Sequence, residues 1–293
     1  MTRPAPASAW SAIAAARSHD TAARLPFVVA QPDARPLDVG SVARGHLRAL
    51  QRWPRWLHIG PRAVTLSCAP DARADALAAM HAVLRADGLI VAWRDEAFPL
   101  LTTRGAPVGV SIERAATRFW GSLTLGAHCN GYVADAHGQP ARLWIARRSF
   151  TKATDPGKLD NLVGGGVPAG QSPRDTVIRE AWEEAGLAPP QLQALARGRV
   201  IALLRDIPEG LQREWIHVYD LALPADVTPC NQDGEVAELT LHPLPRALEL
   251  AAGDEMTVDA SLVTLDFALR HRLLDGDGAL AAAAASLFAG PAA

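Results

Sequence analysis

The sequence predicts an α+β or α/β fold, in which a small α+β domain precedes a larger domain built on a mixed sheet with helices. Three observations support this prediction. Strand-like segments alternate with helical ones through the second half of the chain, a central helix carries capping residues at both ends, and no internal repeat is present. With 293 residues and 49% hydrophobic content, the chain can bury the core of one large domain or of two.

Composition and charge exclude several classes of partner. Lys and Arg total 29 against 31 Asp and Glu, so we expect no broad basic surface of the kind that binds nucleic acid. Cys68, Cys129 and Cys230 form no C-x-x-C pair, which argues against a zinc site and fits a reducing cytoplasm. No apolar run approaches the roughly 20 residues that span a bilayer, and we identify no signal peptide. The alanine- and arginine-rich start leaves an organelle transit sequence as an open alternative. We therefore predict a cytoplasmic protein without a nucleic-acid or membrane partner.

The elements of the first domain, residues 1–120, are short and mixed. The second helix of this domain should bury Leu77, Met80 and Leu84, and Gly88 should end it. In chain order we predict a helix over Ser41–Gln51, a strand over Arg62–Ser67, a helix over Asp71–Ala86 and a strand over Leu89–Trp93. The sequence identifies no role for this domain.

The second domain, residues 121–275, carries longer elements. Residues 142–149, 199–205 and 214–223 are rich in β-branched and aromatic residues and predict strands. A final helix over Val258–Leu274 should pack through its leucines. Residues 276–293 form an alanine-rich tail.

The central helix has both ends defined by local chemistry. Ser172 is a good N-cap, Pro173 fits the first turn, Asp175 completes a capping box, and Gly186 ends the helix. The sequence therefore predicts a helix over Pro173–Ala185.

Three glutamates lie on one face of this helix. Glu180, Glu183 and Glu184 are spaced i, i+3 and i+4, so their side chains are neighbours and repel one another. Divalent cations among the carboxylates would relieve that repulsion, and Mg²⁺ or Mn²⁺ fits oxygen ligands and phosphate. Arg179 can anchor one of the carboxylates. An acidic run on a helix is more often a solvated face, but here it follows a glycine-rich turn and a capped helix start.

The segment resembles the Nudix box, G-x5-E-x7-R-E-U-x-E-E-x-G-U, where U is an apolar residue. The matching positions are Gly165, Arg179, Glu180, Glu183, Glu184, Gly186 and Leu187. The first glutamate of the box is replaced by Gln171, which can donate and accept hydrogen bonds but cannot bind a metal as a carboxylate. The number of metal ions is therefore left open.

The flanking segments are similar to Nudix proteins related to the Nudix region of fungal thiamine pyrophosphokinase, which carry an additional N-terminal domain. The quoted likeness covers ERAATRFWGSLTLGAHCNGYV and LWIARRSFTKATDPGKLDNLVGGG. This resemblance implies an α/β/α sandwich and a small-molecule diphosphate substrate, with thiamine diphosphate or its oxidised analogues as candidates. A homodimer is the candidate assembly.

The resemblance also implies roles for residues outside the glutamate cluster. The general base is a helix glutamate not used by metal, Glu235 or Glu238, and the sequence does not decide among them. Trp215 could stack on an aromatic ring, although a core position is the more common one for tryptophan. The candidates for substrate binding are Arg147, Arg148, Lys152, Lys158, Gly165, Gly166 and Trp215.

Two other functions compete with hydrolysis. Cys129 suggests an isomerase of the isopentenyl-diphosphate type, which uses a cysteine and a glutamate, although a buried inert cysteine is commoner. Gln171 suggests a sensor that binds its ligand without cleaving it.

Overall fold

The computed structural model describes residues 10–32, 34–274 and 278–288. Within these ranges the chain forms eight α-helices and thirteen strands. The helices are α1 (Ser11–Ala15), α2 (Leu47–Leu50), α3 (Arg73–Ala86), α4 (Arg114–Trp120), α5 (Pro173–Ala185), α6 (Leu244–Ala252), α7 (Val258–Arg270) and α8 (Gly278–Ala284). The strands are β1 (Arg24–Val29), β2 (Leu37–Ala43), β3 (Leu57–Ile59), β4 (Val64–Leu66), β5 (Ala97–Leu101), β6 (Pro107–Glu113), β7 (Leu123–Ala134), β8 (Pro140–Arg148), β9 (Leu159–Asp160), β10 (Val163–Gly166), β11 (Ala196–Ile207), β12 (Gly210–Ala222) and β13 (Val236–Pro243).

The first sheet has four strands in the order β2-β1-β4-β3. β1 pairs with β2 antiparallel and with β4 parallel. Its core contains α3 and α4, and the ring of Phe27 stacks on Trp120 at a centroid distance of 4.3 Å. Trp120 also donates a hydrogen bond of 2.8 Å from Nε1 to His81 Nε2 on α3. This unit is the small α+β region expected at the N-terminal end.

The second sheet is organised around β7. One edge of β7 pairs with β12 in parallel over ten residues, and the other edge pairs in turn with β5, β10 and β8. β11 extends the sheet beyond β12, and β13 extends it beyond β8. β5 and β6 precede residue 120 in the chain, yet they belong to this sheet. Strands from the N-terminal part of the chain, the residues up to 120, therefore belong to the sheet of the larger domain.

Helices cover both faces of this mixed sheet. On β12, Ile216 and Val218 pack in the core that includes α7, whereas Tyr219 and Leu221 pack in the core that includes α5. Successive residues of a strand alternate between faces, so a strand with helices on both sides is apolar on both. The predicted mixed α/β fold with an additional N-terminal domain is confirmed.

Two predicted elements of the N-terminal part are wrong. The helix over Ser41–Gln51 is replaced by the end of β2, a 3-10 turn and the single turn of α2, because β2 buries Val39 and Val42 while pairing with β1. The strand over Leu89–Trp93 is absent from the described residues. Ile90 N donates to Leu84 O at the end of α3, and Ala92 has a φ of 58°, which a strand cannot accommodate.

The C-terminal helix is shorter than predicted. α7 ends at Arg270, and Arg272 has a φ of 54°, so the chain leaves the helix before Leu274. In the predicted tail, α8 packs on the core through Leu280 and Ala284, while residues 276–277 and 289–293 lie outside the described ranges. Among the described helices none is long and apolar enough to cross a membrane.

Candidate active site

α5 is fixed at both ends as its sequence predicts. Ser172 and Asp175 form the reciprocal capping box, in which Ser172 Oγ accepts from Asp175 N at 3.2 Å. Gly186 closes the helix with a φ of 64°, in the left-handed region that favours glycine. Val177 and Ala181 are fully buried against the sheet. The side of α5 that carries the glutamates is therefore held in one orientation beside β10.

The glycines of β10 make room for functional side chains. A Cβ added at Gly164 would lie 2.7 Å from His128 Cε1, and one added at Gly165 would collide with the carboxylate of Glu180. A Cβ at Gly166 would lie 2.6 Å from the ring of Phe98 on β5. No other residue type fits these positions without movement of a neighbour. The glycine-rich strand thus allows α5 and the N-terminal part to approach its backbone.

Two of the three helix glutamates share one guanidinium. Arg179 donates from Nη2 to Glu180 Oε1 at 2.8 Å and from Nη1 to Glu183 Oε2 at 2.6 Å. Its Nε also donates to Gln171 Oε1 at 3.4 Å. Gln171 therefore supports the arginine that holds the carboxylates. The predicted anchoring role of Arg179 agrees with this geometry.

Glu184 has a different environment, because its side chain is buried. Its carboxylate accepts from the backbone N–H of Gly164 at 2.9 Å and lies 3.5 Å from Lys152 Nζ. Lys152 also forms an ion pair with Glu235. Burial raises the pKa of Glu184 to about 8 despite the opposing charge of Lys152. Burial likewise raises the pKa of Glu180.

These carboxylates suit a divalent cation, although each is paired with a protein cation. In the ranges that the structure covers, no three histidine, cysteine, aspartate or glutamate side chains are grouped so that they could hold a metal ion. The available ligands are nevertheless hard oxygens, which Mg²⁺ and Mn²⁺ prefer. Burial raises the pKa values of Glu180 and Glu184 because Arg179 and Lys152 do not fully offset the loss of solvation of the carboxylates. A bound divalent cation would stabilise the ionised carboxylates.

A cavity of about 370 Å³ lies over the glycine-rich strand. Its wall combines β10 with the N-terminal part, with β11 and β12, and with the start of α7. The charged and polar lining includes Arg94, Arg114, Arg118, His128, Arg148, Asp155, Asp160, Arg205, Glu209, Gln212, Glu214 and Asp259. A second cavity, of about 490 Å³, lies between α3 and the β5-β6 hairpin, away from the glutamates of α5. The smaller cavity is the better candidate for a site because charged groups of both signs meet there.

Two linked acidic residues lie in this cavity. Glu214 is paired with Arg118 Nη2 at 2.9 Å, and Gln212 Nε2 donates to Glu214 and to Asp259, both at 3.0 Å. Burial and the charge of Glu214 raise the pKa of Asp259. Gln212 therefore links two carboxylates, one of which is neutralised by an arginine.

Only some of the predicted substrate-binding residues reach the cavity. Arg148, Gly165 and Gly166 line it, and Lys152 lies next to Glu184. Arg147 donates to Gly157 O and, with Glu238, lines a separate cavity of about 170 Å³. The positions of Arg147 and Glu238 therefore do not support the predicted roles in binding and catalysis.

Two more candidates do not line the cavity. Lys158 pairs with Asp155 at 3.8 Å, and its side chain is 42% exposed. Trp215 packs against Gly105, because Glu214 occupies the cavity face of β12 and adjacent residues face opposite sides of the sheet. Stacking of Trp215 on a substrate ring is not supported by this position.

The cysteine that motivated the isomerase alternative is in the core. Cys129 is 1% exposed among residues packed beneath α5. Burial raises the pKa of its thiol well above the usual value, which disfavours the reactive thiolate. This environment argues against a nucleophilic or acid role for Cys129.

The sequence patterns did not identify the cavity residues that lie far from the glycine-rich strand along the chain. Arg94, Arg114 and Arg118 precede the glycine-rich strand by about fifty residues or more, and Glu214 follows it by a similar separation. The i, i+4 spacing of Arg114 and Arg118 places them on one face of a helix. That spacing alone does not reveal what the face contacts.

Comparison with known proteins matches two family models to successive parts of the chain. The model of the NUDIX domain matches residues 126–260, and a model described as a domain of unknown function (DUF4743) matches residues 9–123. "Nudix hydrolase 24, chloroplastic" from Arabidopsis thaliana is 37% identical over 206 residues, which are 70% of this chain and 56% of that protein. A "Nudix hydrolase" from Deinococcus radiodurans is 33% identical over 143 residues, which are 49% of this chain and 76% of that protein.

A solved protein structure from Deinococcus radiodurans also resembles part of the chain. It has a TM-score of 0.44 and 27% sequence identity, and the likeness covers 59% of this chain and 99% of that structure. The chain spans about half the length of the plant relatives that it matches.

Proposed function

The chain belongs to the Nudix hydrolase family, and from that premise we propose that it is a metal-dependent hydrolase of a small organic diphosphate. One observation carries the proposal. Glu180 and Glu184 of α5 contact the glycine-rich strand, and the backbone of that strand lines a cavity together with several arginines. The positive charge of one of them, Arg114, acts on Glu180 and opposes the rise of its pKa. Carboxylates for a cation and guanidinium groups for phosphate oxygens are the two elements that cleavage of a phosphoanhydride needs.

The proposed ligands of the cation are Glu180 and Glu184, with Glu183 at the exposed edge of the same helix face. When bound, Mg²⁺ or Mn²⁺ neutralises phosphate oxygens and lowers the pKa of a water. Release of Glu180 and Glu183 from Arg179 requires rotation of the Arg179 side chain, which is 34% exposed. Arg179 would then be free to contact a phosphate or the product.

The other residues bind, orient and exclude water. Arg148 is held by Asp160 at 2.8 Å, which fixes its guanidinium at the cavity wall. In the proposed reaction, the oxygen of one water forms a new P–O bond while the bridging P–O bond breaks. The products are an organic monophosphate and orthophosphate, and the hydrogens of the water are divided between them and solvent. The proton acceptor is a helix glutamate or Glu235, which lies beside the helix through Lys152.

Thiamine diphosphate or an oxidised analogue is the proposed substrate within this class. The support is the similarity of the segments around the glutamate helix to Nudix proteins related to fungal thiamine pyrophosphokinase. The cavity volume of about 370 Å³ lies within the range of small-ligand sites. Specificity in this family resides in loops and neighbouring domains, so the substrate class is tested separately from the reaction.

A screen of the full chain tests the reaction. The protein is incubated with Mg²⁺ or Mn²⁺ and with thiamine diphosphate analogues, nucleotide sugars, dinucleotides and damaged nucleotides, and products are followed by phosphorus NMR. We expect metal-dependent cleavage. Glu180→Gln and Glu184→Gln should each reduce its rate by about a hundredfold or more, because each change removes a charged ligand of the metal ion. Glu249→Gln, an exposed change on α6, is the matched control. Failure to cleave any of these compounds, or undiminished cleavage in both glutamate variants of α5, would refute the proposal.

A further inference from the structure

The N-terminal part of the chain supplies one wall of the candidate active site. Val91, Ala92, Arg94 and the α4 residues Arg114 and Ala115 line the same cavity as the glycine-rich strand. All of them lie within residues 9–123, the segment that matches a domain of unknown function. The wall is joined to the sheet by direct pairing, because β5 pairs with β7 at Leu101 and Leu123. The position of this wall is therefore set by the sheet.

Arg114 is held in a fixed orientation at the centre of this wall. Its Nη1 donates to Glu96 Oε2 at 2.9 Å, and its guanidinium carbon lies 5.3 Å from the centroid of the Phe98 ring. The same guanidinium carbon would lie 3.5 Å from a Cβ at Gly166, so the group approaches the glycine-rich backbone closely. Among the described residues its side chain makes one hydrogen bond, although a guanidinium has five N–H donors. Several donors remain available to a ligand in the cavity.

Arg94 lies at the same wall without a partner for its charge. Within the described ranges its guanidinium makes no hydrogen bond and no ion pair, although its backbone N–H donates to Glu113 Oε1 at 2.9 Å. Burial and the like charges of Arg114 and Arg148 lower the pKa of Arg94 by more than the carboxylates of Glu235 and Glu96 raise it. Arg148 is already neutralised by Asp160. Among the described residues, Arg94 therefore has no direct counter-charge and Glu96 contacts only one nitrogen of Arg114, so both guanidinium groups keep N–H donors for a ligand.

We infer that Arg94 and Arg114 form an anion subsite that binds the terminal phosphate of the substrate. The inference deepens the proposed function and rests on it for the identity of the ligand as a diphosphate. A terminal phosphate carries up to two negative charges and three acceptor oxygens, which match two guanidinium groups. A phosphate esterified on both sides carries one charge and offers two such oxygens. The subsite therefore favours organic diphosphates with a free terminal phosphate over diphosphates substituted at both ends.

This subsite gives the N-terminal segment a role in substrate binding. The carboxylates of α5 with their cation would hold one side of the diphosphate, and Arg94 and Arg114 the other side. Loss of the arginines should weaken substrate binding more than turnover, because they contact the phosphate and do not supply the attacking water. This division distinguishes the subsite from a purely structural role.

The test compares arginine variants of the full chain. Arg94→Ala, Arg114→Ala and the double variant are compared with Arg52→Ala, which removes an arginine of the same segment that pairs with Asp87 outside the cavity. The probe is methylenediphosphonate with Mg²⁺, measured by calorimetry, because this diphosphonate binds without being cleaved. We expect each single change to weaken binding at least tenfold and the double change at least a hundredfold, with Arg52→Ala within twofold of the unmodified chain.

Kinetics with an active substrate from the screen provide the second readout. In Arg94→Ala and Arg94→Lys, which preserves the charge, KM should rise while kcat stays within threefold, and the rise should be smaller for lysine. The inference is overturned if the folded double variant binds the diphosphonate as well as the unmodified chain, or if diphosphates substituted at both ends are cleaved with equal kcat/KM. Absence of cleavage with retained, arginine-dependent diphosphonate binding would instead refute the proposed reaction and leave the subsite supported.

Discussion

Replacement of Glu184 by glutamine should stabilise the protein at alkaline pH. The carboxylate is buried beside the N–H of Gly164, and burial raises its pKa to about 8 from the usual value of 4.5. Between these two values the folded state holds a proton that the unfolded chain releases. The free energy of unfolding must therefore fall as pH rises from 4.5 to 8, and the contribution of protonated Glu184 is lost above that range.

The magnitude follows from the displacement of the pKa. Each unit is equivalent to about 1.4 kcal/mol, so the ionised carboxylate costs on the order of 5 kcal/mol at most, before the surroundings relax. Glutamine has almost the same volume, carries no charge and can accept the same hydrogen bond from Gly164 N. The variant should equal the unmodified chain near pH 5 and exceed it by at least about 2 kcal/mol at pH 9.

Urea unfolding at half-unit pH steps measures this difference directly. The quantity to follow is the difference in unfolding free energy between Glu184→Gln and the unmodified chain, with Glu249→Gln as an exposed control that should show no trend. A constant difference across pH 5–9 would refute the idea that the carboxylate is held at a cost in stability. Addition of Mn²⁺ should reduce the alkaline loss in the unmodified chain and have little effect in the variant.

Three further predictions test the local packing. Gly165→Ala places a Cβ against the carboxylate of Glu180, so the affinity for Mn²⁺ should fall at least tenfold. The control is Gly45→Ala, where nothing lies within 4 Å of the added Cβ, and it should leave the affinity unchanged. Equal Mn²⁺ affinities of the two variants would contradict the need for glycine at position 165. Gly40→Ala places a Cβ 2.8 Å from the backbone oxygen of Gly121, so the free energy of unfolding, measured in urea, should fall by about 2–4 kcal/mol. A loss below about 0.5 kcal/mol would be inconsistent with that contact. Burial lowers the pKa of His81 from 6.5 to about 4, so acid should destabilise the fold from pH 6.5 down to 4 by up to about 1.4 kcal/mol per unit. His81→Gln, which can still accept from Trp120, should lose most of that acid dependence, and an unchanged profile would exclude His81 as its source.

The central helix could be predicted from sequence because its determinants are local. Ser172, Asp175 and Gly186 specify where α5 begins and ends, and the spacing of Glu180, Glu183 and Glu184 specifies one face. The partners of those glutamates were harder to predict. Lys152 reaches Glu184 from a loop, and its ion pair with Glu235 depends on where the start of β13 lies.

The arginine wall could not be predicted from local patterns. Arg94 follows a segment that reads as a strand, Leu89–Trp93, but that segment is irregular because Ala92 adopts a positive φ. Arg114 belongs to a short helix whose place beside Gly166 is set by strand pairing over long separations in the chain. Tertiary pairing of this kind overrides local propensity. The resemblance of the flanking segments covered α4 but assigned no role to its arginines.

The assignment of the active site is tested most directly by a crystal structure with Mn²⁺ and methylenediphosphonate, in which the anomalous signal of Mn²⁺ locates the ion. We predict Mn²⁺ bound by Glu180 and Glu184 beside the glycine-rich strand, with a terminal phosphonate on Arg94 and Arg114. Mn²⁺ bound elsewhere, or a diphosphonate outside this cavity, would contradict the assignment of the active site.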